Sequence, residues 1–159
     1  MDIEKKRKRI ARNAAINGWC IAVFAALCLA DSLLSFSVKG ILVGAGLMAS
    51  GCMELSGRRR LKQIRPEAGR WLAGSQLVAM GTLLLYSAYN LPLATRKKTL
   101  LDIPASYRQM VGPEILLEAL RITYLALIAA TLLYQGGLWL YYTISTRRLA
   151  RAMAEAPKG

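Results

Sequence analysis

The sequence predicts an all-α integral membrane protein, with four transmembrane helices packed as an antiparallel bundle. Three observations carry that prediction. Apolar residues make up 55% of the 159, and the mean hydropathy is +0.33. They fall in blocks rather than at amphipathic intervals, as spans do. Clusters of lysine and arginine, Lys5 to Arg9, Arg58 to Arg60 and Arg147–Arg148, separate the blocks. In hydrocarbon an open strand would leave backbone groups unpaired, so the blocks are read as helices.

The first span is expected over about 17–37 and the second over about 40–55. The third covers about 71–91 and the fourth about 117–146, its most apolar part running from Ile122 to Ile144. Each reaches or approaches the ~20 residues that cross ~30 Å of hydrocarbon. Lys39-Gly40 is read as a tight turn closing a hairpin of the first two spans. The first span is taken as a retained anchor. Its basic lead-in is long, and apolar residues resume at Leu33-Leu34 immediately after Asp31-Ser32. One domain covers 1–159: a basic segment over 1–16, an outer loop over 92–114 and a tail over 147–159. A short interfacial helix is expected over about 103–111.

Orientation follows from the basic residues. Sixteen of the 22 lie in the N-terminal segment, the loop between the second and third spans, and the tail. Five lie on the opposite side (Lys39, Arg96, Lys97, Lys98 and Arg108), and Arg121 lies within a span. The positive-inside rule then predicts a multi-pass protein of the cell (cytoplasmic) membrane with both termini cytoplasmic. Under that reading the net charge of +13 addresses the anionic headgroups of the bilayer and not nucleic acid.

Chemistry leaves few marks. The absence of histidine removes the commonest general base and metal ligand. Cys20, Cys28 and Cys52 are odd in number and form no CxxC pair, so they read as small apolar residues. No catalytic, cofactor-binding or metal-binding residue is assigned.

At ~100° per residue, polar side chains gather into stripes. The first span lines up Asn17, Cys20, Cys28, Asp31 and Ser35. The third offers Gln76, Tyr86, Ser87 and Asn90. The fourth offers Arg121, Tyr124, Thr131, Gln135 and Tyr142. In the second, Gly40, Gly44 and Gly51 share a face with Glu54, and Gly40-xxx-Gly44 is a small-xxx-small pair suited to close helix packing. Trp19, Trp71, Trp139, Tyr141 and Tyr142 are read as an interfacial belt at the basic end, with Tyr86 and Tyr89 opposite.

Ionisable groups within spans are expensive and are singled out for that reason. Asp31 and Arg121 are expected at similar depth and expected to pair. Glu118, one turn from Arg121, is a second candidate partner. Glu54 is read as the last turn of the second span, in an interfacial ion pair with Arg58. Two functions follow as expectations. One is a non-catalytic scaffold or accessory subunit, acting as a homo-oligomer or within a larger membrane complex. The other is an oligomeric channel or small-solute transporter using Asp31, Glu54, Glu118 and Arg121.

Overall fold

The computed structural model describes residues 3–65, 67–95 and 112–155. Within them are four long helices, α1 (Ile3–Leu34), α2 (Val38–Lys62), α3 (Ala68–Asn90) and α4 (Pro113–Glu155), one 3₁₀ turn at Leu93–Thr95, and no strand. Each long helix is apolar and long enough to cross a membrane. The chain is a multi-pass membrane protein. The interfacial helix expected over about 103–111 lies outside the described residues, as does most of the outer loop.

The helices run well beyond the apolar blocks. At 32 and 43 residues, α1 and α4 are about 48 and 64 Å long at ~1.5 Å per residue. The segment over 1–16, expected to precede the membrane, is from Ile3 onward the first four turns of α1. It stays helical because it still has a core to cover. Ile10, Ala11 and Ala14 are buried with Leu61, Ala68, Leu72, Tyr142 and Leu149 in one cluster. Charged residues there occupy the outer face of a packed helix. Glu4 and Lys8, one turn apart on that face, are joined by a 2.8 Å ion pair.

The first turn also differs from its expected position. Phe36 takes the left-handed conformation (φ 53°), where the amide of Ser37 bonds the carbonyl of Ser32 at 2.8 Å and that of Phe36 bonds Leu33. This six-to-one closure is a Schellman ending for α1. The Ser37 hydroxyl then accepts the amide of Gly40 at 3.3 Å and caps α2. Lys39 and Gly40 therefore lie in the first turn of α2, and the chain reverses at Ser35–Ser37. The α2–α3 connection repeats the device with Ile64 (φ 59°) and an Arg65 amide to Arg60 carbonyl bond of 3.0 Å.

Glycines set the spacing between neighbours. A Cβ on Gly44 would stand 2.6 Å from Leu29 Cγ, and one on Gly51 would meet the Ala22 amide and the Gly18 carbonyl at 3.1 Å. On the next seam, Gly57 faces Leu72 and Gly46 faces Thr82; Gly69 faces Thr146 between α3 and α4. Along each seam residue numbers fall on one helix as they rise on the other, the order of antiparallel hairpins. Without water to expel between helices, such backbone approach supplies the packing energy.

Candidate functional site

All four helices contribute a side chain to one buried carboxylate. Glu54 on α2 is 0% exposed, as are Gln76 on α3 and Tyr142 on α4. The Tyr142 hydroxyl donates to Glu54 Oε1 at 2.6 Å. Asn17 Nδ2 on α1 donates to Oε2 at 2.6 Å, and Gln76 Nε2 donates to the same oxygen at 3.0 Å. A second layer holds the donors. Tyr134 donates to Asn17 Oδ1 at 2.9 Å, while Gln76 Nε2 also reaches Ser75 Oγ at 3.2 Å. Ser50 on α2 ties itself to the Ser75 carbonyl at 2.8 Å.

Local sequence explains the placement. Glu54 follows Gly51 and precedes Gly57 on the closest-packed face of α2, where neighbouring backbones leave no route outward for a side chain. It lies about 12 Å from the end of α2, just inside the basic end of the apolar blocks. All three donors to the carboxyl are neutral. Arg58, one turn on, makes no ion pair with Glu54; among the described residues, ion pairs join Glu4 to Lys8 and Arg60 to Glu67. The expected Glu54–Arg58 interfacial pair is thereby corrected. Although the two stand one turn apart on α2, both Glu54 oxygens already accept from Asn17, Gln76 and Tyr142, and Arg58 lies in the groove beside α1.

The Asp31–Arg121 pair is likewise not formed. Both residues are exposed, and no ion pair joins either to the other or to Glu118. Asp31 lies one turn from the end of α1. Arg121 lies one turn from Tyr124, which stacks edge-on with Tyr86 near the end of α3, with ring centroids 6.1 Å apart. Asp31 is near the end of α1 and Arg121 is beside the end of α3, and exposed charges at that level reach headgroups and water by snorkelling, so neither requires a partner.

The stripes divide in the same way. Gln76, Ser87, Thr131, Gln135 and Tyr142 are buried, and Tyr86, Asn90 and Tyr124 are half-buried. Tyr142 is thus an interior residue and not part of the aromatic belt. On α1 only Asn17 of its stripe turns inward; Cys20, Asp31 and Ser35 are exposed. The face that α1 buries is marked by small residues, Ala11, Ala14, Gly18, Ala25 and Ser32. The convergence on Glu54 was not evident in the sequence, although one signal pointed to it. A carboxylate that shares the glycine face of a span is on a packing seam, not at an interface.

Among the described residues, the buried oxygens Gln76 Oε1, Ser87 Oγ and Gln135 Oε1 have no hydrogen-bond partner. Among the described residues no three Cys, Asp or Glu side chains gather as a metal ion would require. No protein family, no curated protein and no solved structure matches the chain.

Proposed function

We propose that this protein is a non-catalytic membrane module, a scaffold or accessory subunit that meets its partners through the lipid-facing sides of its helices. The observation that carries the reading is the use made of the polar side chains. Asn17, Ser50, Glu54, Ser75, Gln76, Tyr134 and Tyr142 are spent on one another across four helices. Such bonds hold a bundle in a single arrangement at about 0.6 to 2 kcal/mol each. A rigid bundle with large apolar side chains turned outward, among them Phe24, Leu27 and Leu133, is suited to packing against other spans. The test is purification in mild detergent, with stoichiometry measured by mass and co-purifying chains identified. Self-association or a recurrent partner supports the reading, and a strict monomer without partners overturns it.

A second reading, a proton- or cation-linked transporter, is favoured by one observation. Gln76 bonds Glu54 through its nitrogen and leaves its buried oxygen Oε1 without a donor, a polar arrangement that a bound cation or water would complete. Of the four ionisable residues first assigned to such a path, only Glu54 is buried; Asp31, Glu118 and Arg121 are exposed. Flux of protons or alkali cations into proteoliposomes, abolished by Glu54→Gln, would establish it. Leak-free vesicles holding the parent protein would dismiss it.

A further inference from the structure

Beside the bundle's basic end, α1 and α2 enclose a groove of about 330 Å³. Its walls carry Arg7, Lys8 and Arg12 from α1 and Arg58 and Lys62 from α2, and among the described residues no acidic side chain lines it. The spacing is helical on both sides: 8 and 12 stand one turn apart on α1, as 58 and 62 do on α2, and Arg7 also lines the groove. Two rows of cations therefore look across one opening.

Most basic groups near the membrane need no explanation beyond topology, and Arg60 shows what a satisfied one looks like. It bonds Glu67 at 2.6 Å and lies over the Trp71 ring with 4.4 Å to the centroid. Among the described residues, Lys8 alone of the groove's cations has an acidic partner, the exposed Glu4. Arg58 departs most from the satisfied pattern, because its Nε is buried and has no acceptor. A buried guanidinium nitrogen without an acceptor costs free energy that a bound oxyanion would recover.

The floor of the groove is apolar, formed by Ala11, Ala15 and Ile16. It leads along α1 to the exposed Trp19, Val23 and Leu27, so an acyl chain could continue where the headgroup ends. We infer that this groove binds the phosphate of an anionic glycerophospholipid, the headgroup between Arg12, Arg58 and Lys62 and a chain along the outer face of α1. Basic pockets between membrane helices hold anionic headgroups by this combination of charge and apolar floor. The wider groove between α3 and α4, about 430 Å³, contains only Arg70 and Arg147 as cations and has no orphaned donor. Charge density therefore selects the α1–α2 groove.

The test uses the purified full chain in a neutral detergent, titrated with phosphatidylglycerol, with phosphatidylcholine or with inorganic phosphate, and bound lipid counted by native mass spectrometry. The expected result is one saturable phosphatidylglycerol per chain, not displaced by millimolar phosphate. Arg12→Gln with Lys62→Gln should weaken it by about tenfold or more, the equivalent of losing one charge-assisted contact. Both side chains are exposed, so folding is not at stake. Arg59→Gln with Arg151→Gln removes the same charge at exposed positions outside the groove and should change binding by less than about twofold. Arg58→Gln should lose affinity where Arg58→Lys retains part of it. Equal losses in the two double variants would reduce the groove to diffuse surface charge and overturn the inference. So would equal retention of phosphatidylcholine, and so would displacement by phosphate, which would mark a free-anion site.

Discussion

Removing the acceptor from a site with three donors should be costly, and the cost can be worked out bond by bond. In Glu54→Ala, Tyr142 Oη, Asn17 Nδ2 and Gln76 Nε2 all lose their carboxylate oxygens. Interhelical hydrogen bonds in membranes average about 0.6 kcal/mol and reach about 1.7, so three of them are worth about 2 to 5 kcal/mol. Tyr142→Phe removes one bond and leaves the ring in place, so its expected cost is about 0.6 to 1.7 kcal/mol. The double variant should fall short of the sum by about the value of that one bond, since Tyr142 has nothing left to lose once Glu54 is gone. Reversible unfolding in mixed micelles, followed by helix content, gives all four corners of the cycle. Glu118→Ala, at an exposed position, is the reference and should lie within about 0.5 kcal/mol of the parent. If Tyr142→Phe matches the parent, or if the two substitutions add without coupling, the four-helix junction does not hold the bundle together.

Gly44→Ala should destabilise by about 1 to 3 kcal/mol, because its Cβ would intrude on Leu29. Gly81→Ala meets nothing within 4 Å and should be neutral or stabilising by up to about 1 kcal/mol, both read from melting in detergent. Asp31→Asn and Arg121→Gln should be additive within about 0.5 kcal/mol, and the swap of both charges should restore nothing that either reversal loses in membrane accumulation. With the three native cysteines replaced by alanine, Lys39→Cys should react with an impermeant thiol reagent on intact cells, and Arg65→Cys only after lysis. The opposite pattern would invert the orientation read from the basic clusters.

Hydropathy blocks made the four helices legible, because lipid imposes its length and backbone requirements on any segment that crosses it. Their ends were not legible, for a reason visible at Ile10, Ala14 and Leu149. These residues form a soluble-style core among charged neighbours, and a run such as Lys5 to Arg9 looks like a flanking loop whether or not a packed face lies beneath it. Asn17, Gln76 and Tyr142 each stood out on its own helix, and Glu54 shared a face with glycines. Bringing them together required the rotation of four helices about their axes, which spacing along one segment does not contain. The Asp31–Arg121 pairing failed for the complementary reason. Depth was inferable from sequence, but the azimuth of each helix was not.

The junction at Glu54 has a consequence for the order in which the chain is made. Asn17 precedes Glu54 by 37 positions, so the first hairpin enters the membrane with one of its donors already in reach. Gln76 follows 22 residues later, and Tyr142 arrives last, 88 residues downstream. Until then the carboxylate is in the bilayer with its set of donors incomplete. Truncations or mutations that keep α4 from docking would therefore leave Glu54 without its Tyr142 donor inside the bundle. The residue on which all four helices meet is thus the last to have its bonds completed as the chain is made.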